Sequence, residues 1–203
     1  MADEVRSLES LELVGGSPCL DFVNTVNSRH WMEHDFLSSY QGLIGWAGKA
    51  GILRSDAARQ LTTHANLSIS EADAAFRKAL TLRDLLYQIF SLLARRVEPD
   101  APALARFNAL YAEAISAGKL ARTEHGYAPA WDFTHSCEAI LYPVLYSAGE
   151  LLLSPAQRQI KECPGCGWLF LDTSKNHTRR WCNMNTCGVR SKMKRYYVKQ
   201  RTS

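Results

Sequence analysis

Four cysteines near the end of the chain have the spacing of a metal site. Cys163 and Cys166 enclose a Pro-Gly pair, and fifteen residues separate Cys166 from the second pair, Cys182 and Cys187. The Pro-Gly pair suits the tight turn that lets two thiolates reach one ion. Zinc prefers four such ligands in a tetrahedron, and four protein ligands leave no open position for catalysis. The pattern therefore predicts one structural zinc ion held by these four cysteines.

Two alternatives to this site remain open at the level of the sequence. The four cysteines could be unrelated free thiols, or His177, which lies between the two pairs, could replace one of them as a ligand. Zinc accepts histidine nitrogen as readily as cysteine sulfur. His177 has no partner at a matched spacing, so the four-cysteine arrangement is the prediction.

Basic residues surround and follow the cysteines. Residues 161–203 carry a net charge of +8, whereas residues 1–160 carry −4. Such a segment suits contacts with phosphates, whose affinity comes largely from counterion release, and arginines at a helix start can read guanine edges. The residues predicted to contact nucleic acid are Arg179, Arg180, Arg190, Lys192, Lys194 and Arg195. A docking surface for an acidic protein and a solvated helix that offsets the negative zinc–thiolate cluster are the alternatives.

The residues between and after the cysteines indicate how the site is positioned. Residues 168–171 are β-prone, residues 172–176 are a turn mixture, and the second cysteine pair precedes a basic helical segment. The predicted order begins with a knuckle, the tight turn that carries Cys163 and Cys166, followed by a strand and a turn. A second strand or loop, the second cysteine pair and a helix come after them. This order is typical of a treble-clef-like zinc finger, which we place at residues 159–203.

The preceding residues, 1–158, have the pattern of a helical domain with a few short strands. We predict a strand at 8–14, a hairpin or irregular crossing at 119–132, and a helix at 133–153 that Pro143 kinks. The other predicted helices cover about 19–26, 36–53, 55–66, 70–97 and 101–117. The predicted core residues are Phe76, Leu80, Leu86, Ile89, Phe90 and Leu93. The fold class is therefore mainly α, with a C-terminal zinc finger.

The composition excludes several classes of protein. Apolar residues make up 46% of the chain and charged residues 22%, as in ordinary globular proteins. No run of about 18 apolar residues is present, so we expect no membrane span. The acidic, polar N-terminus does not resemble a signal peptide, so we expect a cytoplasmic protein. Reduced thiols in that compartment favour metal binding over disulfides.

An enzyme is the weakest hypothesis for the helical part. No glycine-rich phosphate loop, nucleophile elbow or paired-carboxylate motif is present, so we expect no enzyme. His30 and His34 would share one helix face with Glu33 between them, yet no third metal ligand has a matching spacing. The polar residues that could line a small-molecule pocket are Asp21, Asn24, Arg29 and Asp35. Asp21 and Asn24 could equally satisfy backbone groups near the Gly-Gly turn that precedes them.

Both parts of the chain resemble known families. The C-terminal part resembles the bacterial CGNR-type zinc finger through Cys163-x-x-Cys166, Phe170-x-Asp172-x-Ser174, Arg179-Arg180-Trp181-Cys182, Met184 and Cys187-Gly188-x-Arg190-x-Lys192. One position departs, because Val189 stands where that family has Asn. The upstream part resembles the ABATE domain through Gly15-Gly16-x-Pro18-Cys19-Leu20-Asp21-Phe22-Val23-Asn24-Thr25 and Leu43-x-x-Trp46-Ala47-x-x-Ala50-Gly51.

The resemblance adds a function to the physical pattern. Such proteins are described as "putative stress-induced transcription regulators", which implies DNA binding by the finger but no particular operator or signal. The sequence leaves three hypotheses: a DNA-binding regulator, an adaptor that docks an acidic protein, and a small-molecule enzyme or sensor. It also leaves open an effector of the helical part, RNA in place of DNA, and a homodimer.

Overall fold

A computed structural model describes residues 7–30 and 35–201 of the protein, without the side chains of Arg195, Lys199 and Arg201. The described residues are mainly α-helical, as predicted. The helices are α1 (Pro18–Val23), α2 (Tyr40–Lys49), α3 (Ser55–Leu67), α4 (Ile69–Ala94), α5 (Ala101–Ala117), α6 (Tyr142–Leu153) and α7 (Val189–Arg201). None of the helices in this part of the chain is long and apolar enough to span a membrane.

Two small antiparallel sheets complete the described fold. Strands β1 (Lys119–Thr123) and β2 (Gly126–Ala130) form a hairpin, as the sequence predicted for residues 119–132. Strands β3 (Ile160–Glu162) and β4 (Leu169–Leu171) pair in the register Ile160↔Leu171 to Glu162↔Leu169 and belong to the cysteine-rich part. The second hairpin therefore encloses the first cysteine pair.

Helix α4 lies at the centre of the molecule. It contacts α1, α2, α3 and α5, and also both strands of the second sheet. Three of its six predicted core residues, Leu86, Ile89 and Phe90, are fully buried. Phe76, Leu80 and Leu93 are only half-buried. Alanines supply much of the buried face in the N-terminal half of α4, and their small side chains let neighbouring helices approach closely.

Two predicted elements differ from the structure. The segment predicted as a strand at 8–14 instead contains one 3₁₀ turn, Leu8–Ser10, followed by irregular chain. The helix predicted at 133–153 begins only at Tyr142, after a separate 3₁₀ helix, Cys137–Leu141. Pro143 therefore lies in the first turn of α6. A backbone N–H at that position has no intrahelical acceptor, so proline costs the helix no hydrogen bond. It starts the helix and does not kink it.

Asp21 and Arg29, two of the polar residues considered for a pocket, are engaged within the fold. Asp21 accepts a hydrogen bond of 2.7 Å from the amide of Gly15. It therefore satisfies a backbone group of the Gly-Gly turn, which was the predicted alternative to a pocket. Burial raises the pKa of Asp21 to about 6, although the backbone hydrogen bonds oppose the shift. Arg29 forms an ion pair of 2.8 Å with Asp84 and stacks over the Tyr87 ring at 4.3 Å.

Asp35, another of these residues, forms an ion pair with a buried arginine. Both terminal guanidinium nitrogens of Arg83 contact the Asp35 carboxylate, at 2.8 and 2.5 Å, and the side chain of Arg83 is only 6% exposed. The proposed metal pair cannot be located, because His34 and the intervening Glu33 lie outside the described residues.

Candidate metal centre and basic helix

The first cysteine pair lies in the turn of the β3–β4 hairpin. The amide of Cys163 donates to the carbonyl of Trp168, and the amide of Gly167 donates to the carbonyl of Cys163, both at 2.8 Å. Gly167 has φ +75°, and a Cβ there would lie 2.7 Å from the Cβ of Arg29. Glycine is therefore required both by the turn and by the close approach of the helical part.

The second cysteine pair leads into the last helix. Asn183 caps this entry, since its side-chain oxygen accepts from the amide of Asn185 at 2.7 Å. A widened turn, Met184–Gly188, carries Cys187 and continues directly into α7. The last ligand therefore sits at the beginning of the final helix, as predicted for a treble-clef-like finger.

The four sulfur atoms have the geometry of one zinc site. All four lie within 4.8 Å of one another, and Cys182 Sγ is 3.5 Å from Cys166 Sγ and 3.7 Å from Cys187 Sγ. Zinc–sulfur bonds of about 2.3 Å place tetrahedral ligands about 3.8 Å apart. All four cysteines are buried. The cluster therefore fits one structural zinc ion with a closed coordination shell.

The thiols already influence one another's ionisation. Hydrogen bonds among the four thiols lower the pKa of Cys163 and raise the pKa of Cys166 and of Cys182. A bound zinc ion favours the thiolate form of every ligand, because a coordinating thiol is deprotonated.

His177, the alternative ligand, has a different partner. Its Nδ1 lies 2.7 Å from the carbonyl oxygen of Asp172, in the loop between β4 and the second cysteine pair. The Asp172 carboxylate is fully buried, and it accepts hydrogen bonds from Lys161 at 2.6 Å and from the amide of Ser174 at 3.0 Å. Burial alone would raise the pKa of Asp172, but these hydrogen bonds outweigh burial and lower it. Asp172 and His177 thus order the loop.

Arg179 and Arg180, both predicted to contact nucleic acid, have different surroundings. Arg179 is half-buried, donates to the carbonyls of Trp181 and Cys182, and lies 4.4 Å over the ring of Phe170. Its guanidinium therefore holds the chain that leads to Cys182. Arg180 is exposed and rests 5.1 Å over the Trp181 ring.

Helix α7 carries the remaining predicted contacts. Among the described elements, it packs chiefly against the turn from which it begins. Arg190, Lys192 and Lys194 are exposed, whereas the side chain of Arg195 lies outside the described residues. Arg190 also lines a cavity of about 370 Å³ beside the cysteines, together with Asn183 and residues of the N-terminal segment.

Large apolar side chains are also exposed on α7. Val189 is 44% exposed, Met193 51%, Tyr196 60% and Tyr197 56%. Their spacing of four, seven and eight residues places them along one stripe of a helix. The stripe runs between the basic positions 190 and 194 on one side and 192 on the other.

Hydrogen bonds with the helical part hold the finger in place. The Asn24 side chain donates to the carbonyl of Leu169 at 2.8 Å and accepts from the amide of Leu169 at 2.9 Å. The indole nitrogen of Trp168 donates to the carbonyl of Val26 at 2.7 Å. Asn24 thus extends the hydrogen bonding of β4 as a neighbouring strand would.

Glu162 connects the finger to α4. Its carboxylate accepts from the hydroxyls of Tyr87 at 3.0 Å and Ser91 at 2.8 Å, and forms an ion pair of 3.1 Å with Arg95. Sequence reasoning missed Glu162. Nothing in the local sequence identifies its partners, which lie more than sixty residues earlier.

Two family profiles match the chain, in agreement with the resemblance of both parts. The ABATE profile, described as "Putative stress-induced transcription regulator", matches residues 16–155. The CGNR zinc finger profile matches residues 159–200. None of the curated proteins matches the chain. Since the first profile covers more than half of the chain and the second covers the cysteine cluster, the protein belongs to the ABATE family and carries a CGNR zinc finger.

Proposed function

We propose that the protein is a DNA-binding transcription regulator that contacts DNA through the finger and α7. The observation that carries the proposal is the group of exposed cations, Arg180, Arg190, Lys192 and Lys194, on a helix and loop fixed by the cysteine cluster. Arg179 is left out of this surface, because its guanidinium already serves the finger.

The dimensions and charges of α7 support this proposal. A helix of thirteen residues is about 20 Å long, and the major groove of B-DNA is wide enough to admit one. Arg190, in the first turn, would read a base edge in this proposal. Lys192 and Lys194 point to different sides of the helix, where they can reach phosphates on both walls of the groove. The net negative charge of residues 1–160 favours an approach with the finger first.

The experiment measures binding to random duplex DNA by fluorescence anisotropy at several salt concentrations. The variant K192Q/K194Q should bind all sequences more weakly, and its salt slope should fall by about 2, because two phosphate contacts are lost. K119Q/R122Q, with the same charge change on the exposed β1 strand, is the matched control and should bind like the wild type. Arg190→Gln should change sequence preference more than overall affinity.

The apolar stripe of α7 supports a second function, docking of an acidic protein. Exposed tyrosine and methionine side chains of this density are typical of protein interfaces. If the wild type shows no salt-sensitive affinity for DNA or RNA at low ionic strength, the docking function replaces DNA binding. In that case Y196S/Y197S should abolish binding of the protein partner. If DNA binding is the function, the same variant should leave the salt dependence of the affinity for duplex DNA unchanged.

A further inference from the structure

Three potential metal ligands meet in the helical part, far from the finger in the sequence. His64 lies near the end of α3, Glu71 in the first turn of α4, and Cys137 at the start of the 3₁₀ helix before α6. The imidazole nitrogen, a carboxylate oxygen and the thiol sulfur all lie within 4.8 Å of one another. This cluster could not be predicted from the sequence, because the three residues are spread over more than seventy positions.

Hydrogen bonds hold the three ligand residues of this cluster together. His64 Nε2 lies 3.0 Å from one Glu71 oxygen, and the other Glu71 oxygen accepts from the backbone amide of Cys137 at 2.9 Å. The hydroxyl of Tyr40 donates to the Cys137 carbonyl at 2.7 Å. Any residue except proline at position 137 could supply that amide and that carbonyl. The network therefore fixes the position of the sulfur, which is also within hydrogen-bonding reach of the Tyr40 hydroxyl.

The ligand set suits a thiophilic divalent cation. Zinc binds sulfur, imidazole nitrogen and carboxylate oxygen at roughly 2.0–2.3 Å, which places tetrahedral ligands about 3.3–3.8 Å apart. His64 Nε2 and its Glu71 oxygen already lie 3.0 Å apart, and the Cys137 sulfur lies within 4.8 Å of both ligand atoms. Burial raises the pKa of the Cys137 thiol, so the free site holds a neutral thiol. A metal ion would displace that proton.

Solvent reaches two of the three residues, His64 and Glu71. His64 lines an open cavity of about 460 Å³ together with Thr63, Leu67 and Thr134. The side chains of His64 and Glu71 are 22% and 38% exposed, whereas Cys137 is fully buried beneath them. Water in this cavity can supply the fourth ligand. The site would therefore have an open position, unlike the closed four-cysteine centre.

We propose that His64, Glu71 and Cys137 form a second metal site, which binds one zinc ion or a similar thiophilic divalent cation. This site is independent of the DNA-binding proposal. Its ligands come from α3, α4 and the segment before α6, so a bound ion links three elements of the helical part. The protein would then bind a second metal ion that exchanges more readily than the first.

The test measures zinc bound to the folded, full-length protein by equilibrium dialysis in a zinc-buffered solution, followed by metal analysis. We expect two zinc ions per chain for the wild type and one for H64Q, E71Q and C137S. C19S replaces a buried cysteine elsewhere in the fold and is the matched control, for which we expect two. Cobalt loading should show a thiolate-to-metal absorption band that is weaker in C137S than in C19S.

Two results would overturn the proposal. One is a single zinc ion per chain in the wild type. The other is a second zinc ion that persists in all three variants, because it must then bind elsewhere. Circular dichroism establishes that each variant is folded. If C137S does not fold, H64Q decides the question, since His64 is partly exposed and its removal leaves the Glu71 bond to the Cys137 amide in place.

Discussion

Asn24 offers the sharpest test of how the finger is held. Its side chain is 1% exposed and satisfies both the amide and the carbonyl of Leu169, at 2.9 and 2.8 Å. Asn24→Ala leaves both backbone groups buried without these partners. Each unsatisfied buried group costs about 1–3 kcal/mol, so the substitution should lower the free energy of unfolding by about 2–6 kcal/mol. That loss is a large fraction of the 5–15 kcal/mol typical of a folded protein.

Urea unfolding at a fixed free zinc concentration measures this loss. Zinc must be buffered, because a ligand that binds the folded state shifts its apparent stability. Tryptophan fluorescence and far-ultraviolet circular dichroism should be recorded together, since Trp168 lies in the finger and most helices lie outside it. Asn108→Ala, at an exposed position of α5, is the control and should change stability by less than about 0.5 kcal/mol. A change below about 1 kcal/mol for Asn24→Ala would refute the argument that the pairing stabilises the protein.

Three further predictions concern the metal centre, a partly buried carboxylate and two helical glycines. Cys187→Ala should remove the zinc of the four-cysteine centre and unfold the finger while most of the helical signal remains, because the coordination of one zinc ion organises the finger. Metal analysis and circular dichroism check this, and retention of that zinc would contradict it. Asp21→Asn should match the wild type in stability below about pH 4 and exceed it by about 1–3 kcal/mol above pH 6, because a pKa raised from 3.8 to about 6 makes ionisation increasingly costly as pH rises. Urea titrations from pH 4 to pH 8 test this, and a difference that does not vary with pH would show the reasoning to be wrong. Gly45→Ala should raise the free energy of unfolding by about 0.5–1 kcal/mol, since a Cβ there meets nothing within 4 Å. Gly149→Ala should lower it by about 1–3 kcal/mol, since its Cβ would lie 2.2 Å from the ring of Tyr111. Thermal melts compare the two variants, and equal shifts in melting temperature would contradict the prediction.

Features that depend on neighbouring residues could be predicted from the sequence. The four-cysteine cluster, the strand after the first cysteine pair and the helix after Cys187 all follow from spacing within about 25 residues, whereas β3, which precedes that pair, was not predicted. The central helix follows from the repeat of apolar residues that ends in Leu86, Ile89 and Phe90. These signals are local, because ligand spacing and helical periodicity are set by the chain itself.

Features that depend on distant residues could not be predicted. The bond between Asn24 and Leu169 spans 145 positions, and Asn24 has no local property that distinguishes it from a turn residue. Cys137 could not be grouped with His64 and Glu71, because the sequence does not show which helix ends meet. Pro143 was misplaced for a related reason, since a proline at a helix start and one at a kink differ only in the conformation of the preceding residues.

The contacts of Glu162 limit how recombination can exchange the finger between genes. A recombination event that moved residues 159–200 onto another chain would separate Glu162 from Tyr87, Ser91 and Arg95, and Leu169 from the amide that completes its hydrogen bonds. The transplanted segment would carry a half-buried carboxylate and two backbone groups that need new partners. The helical part and the finger are therefore expected to be inherited together. Gene fusions that exchange only the cysteine-rich end should be selected against.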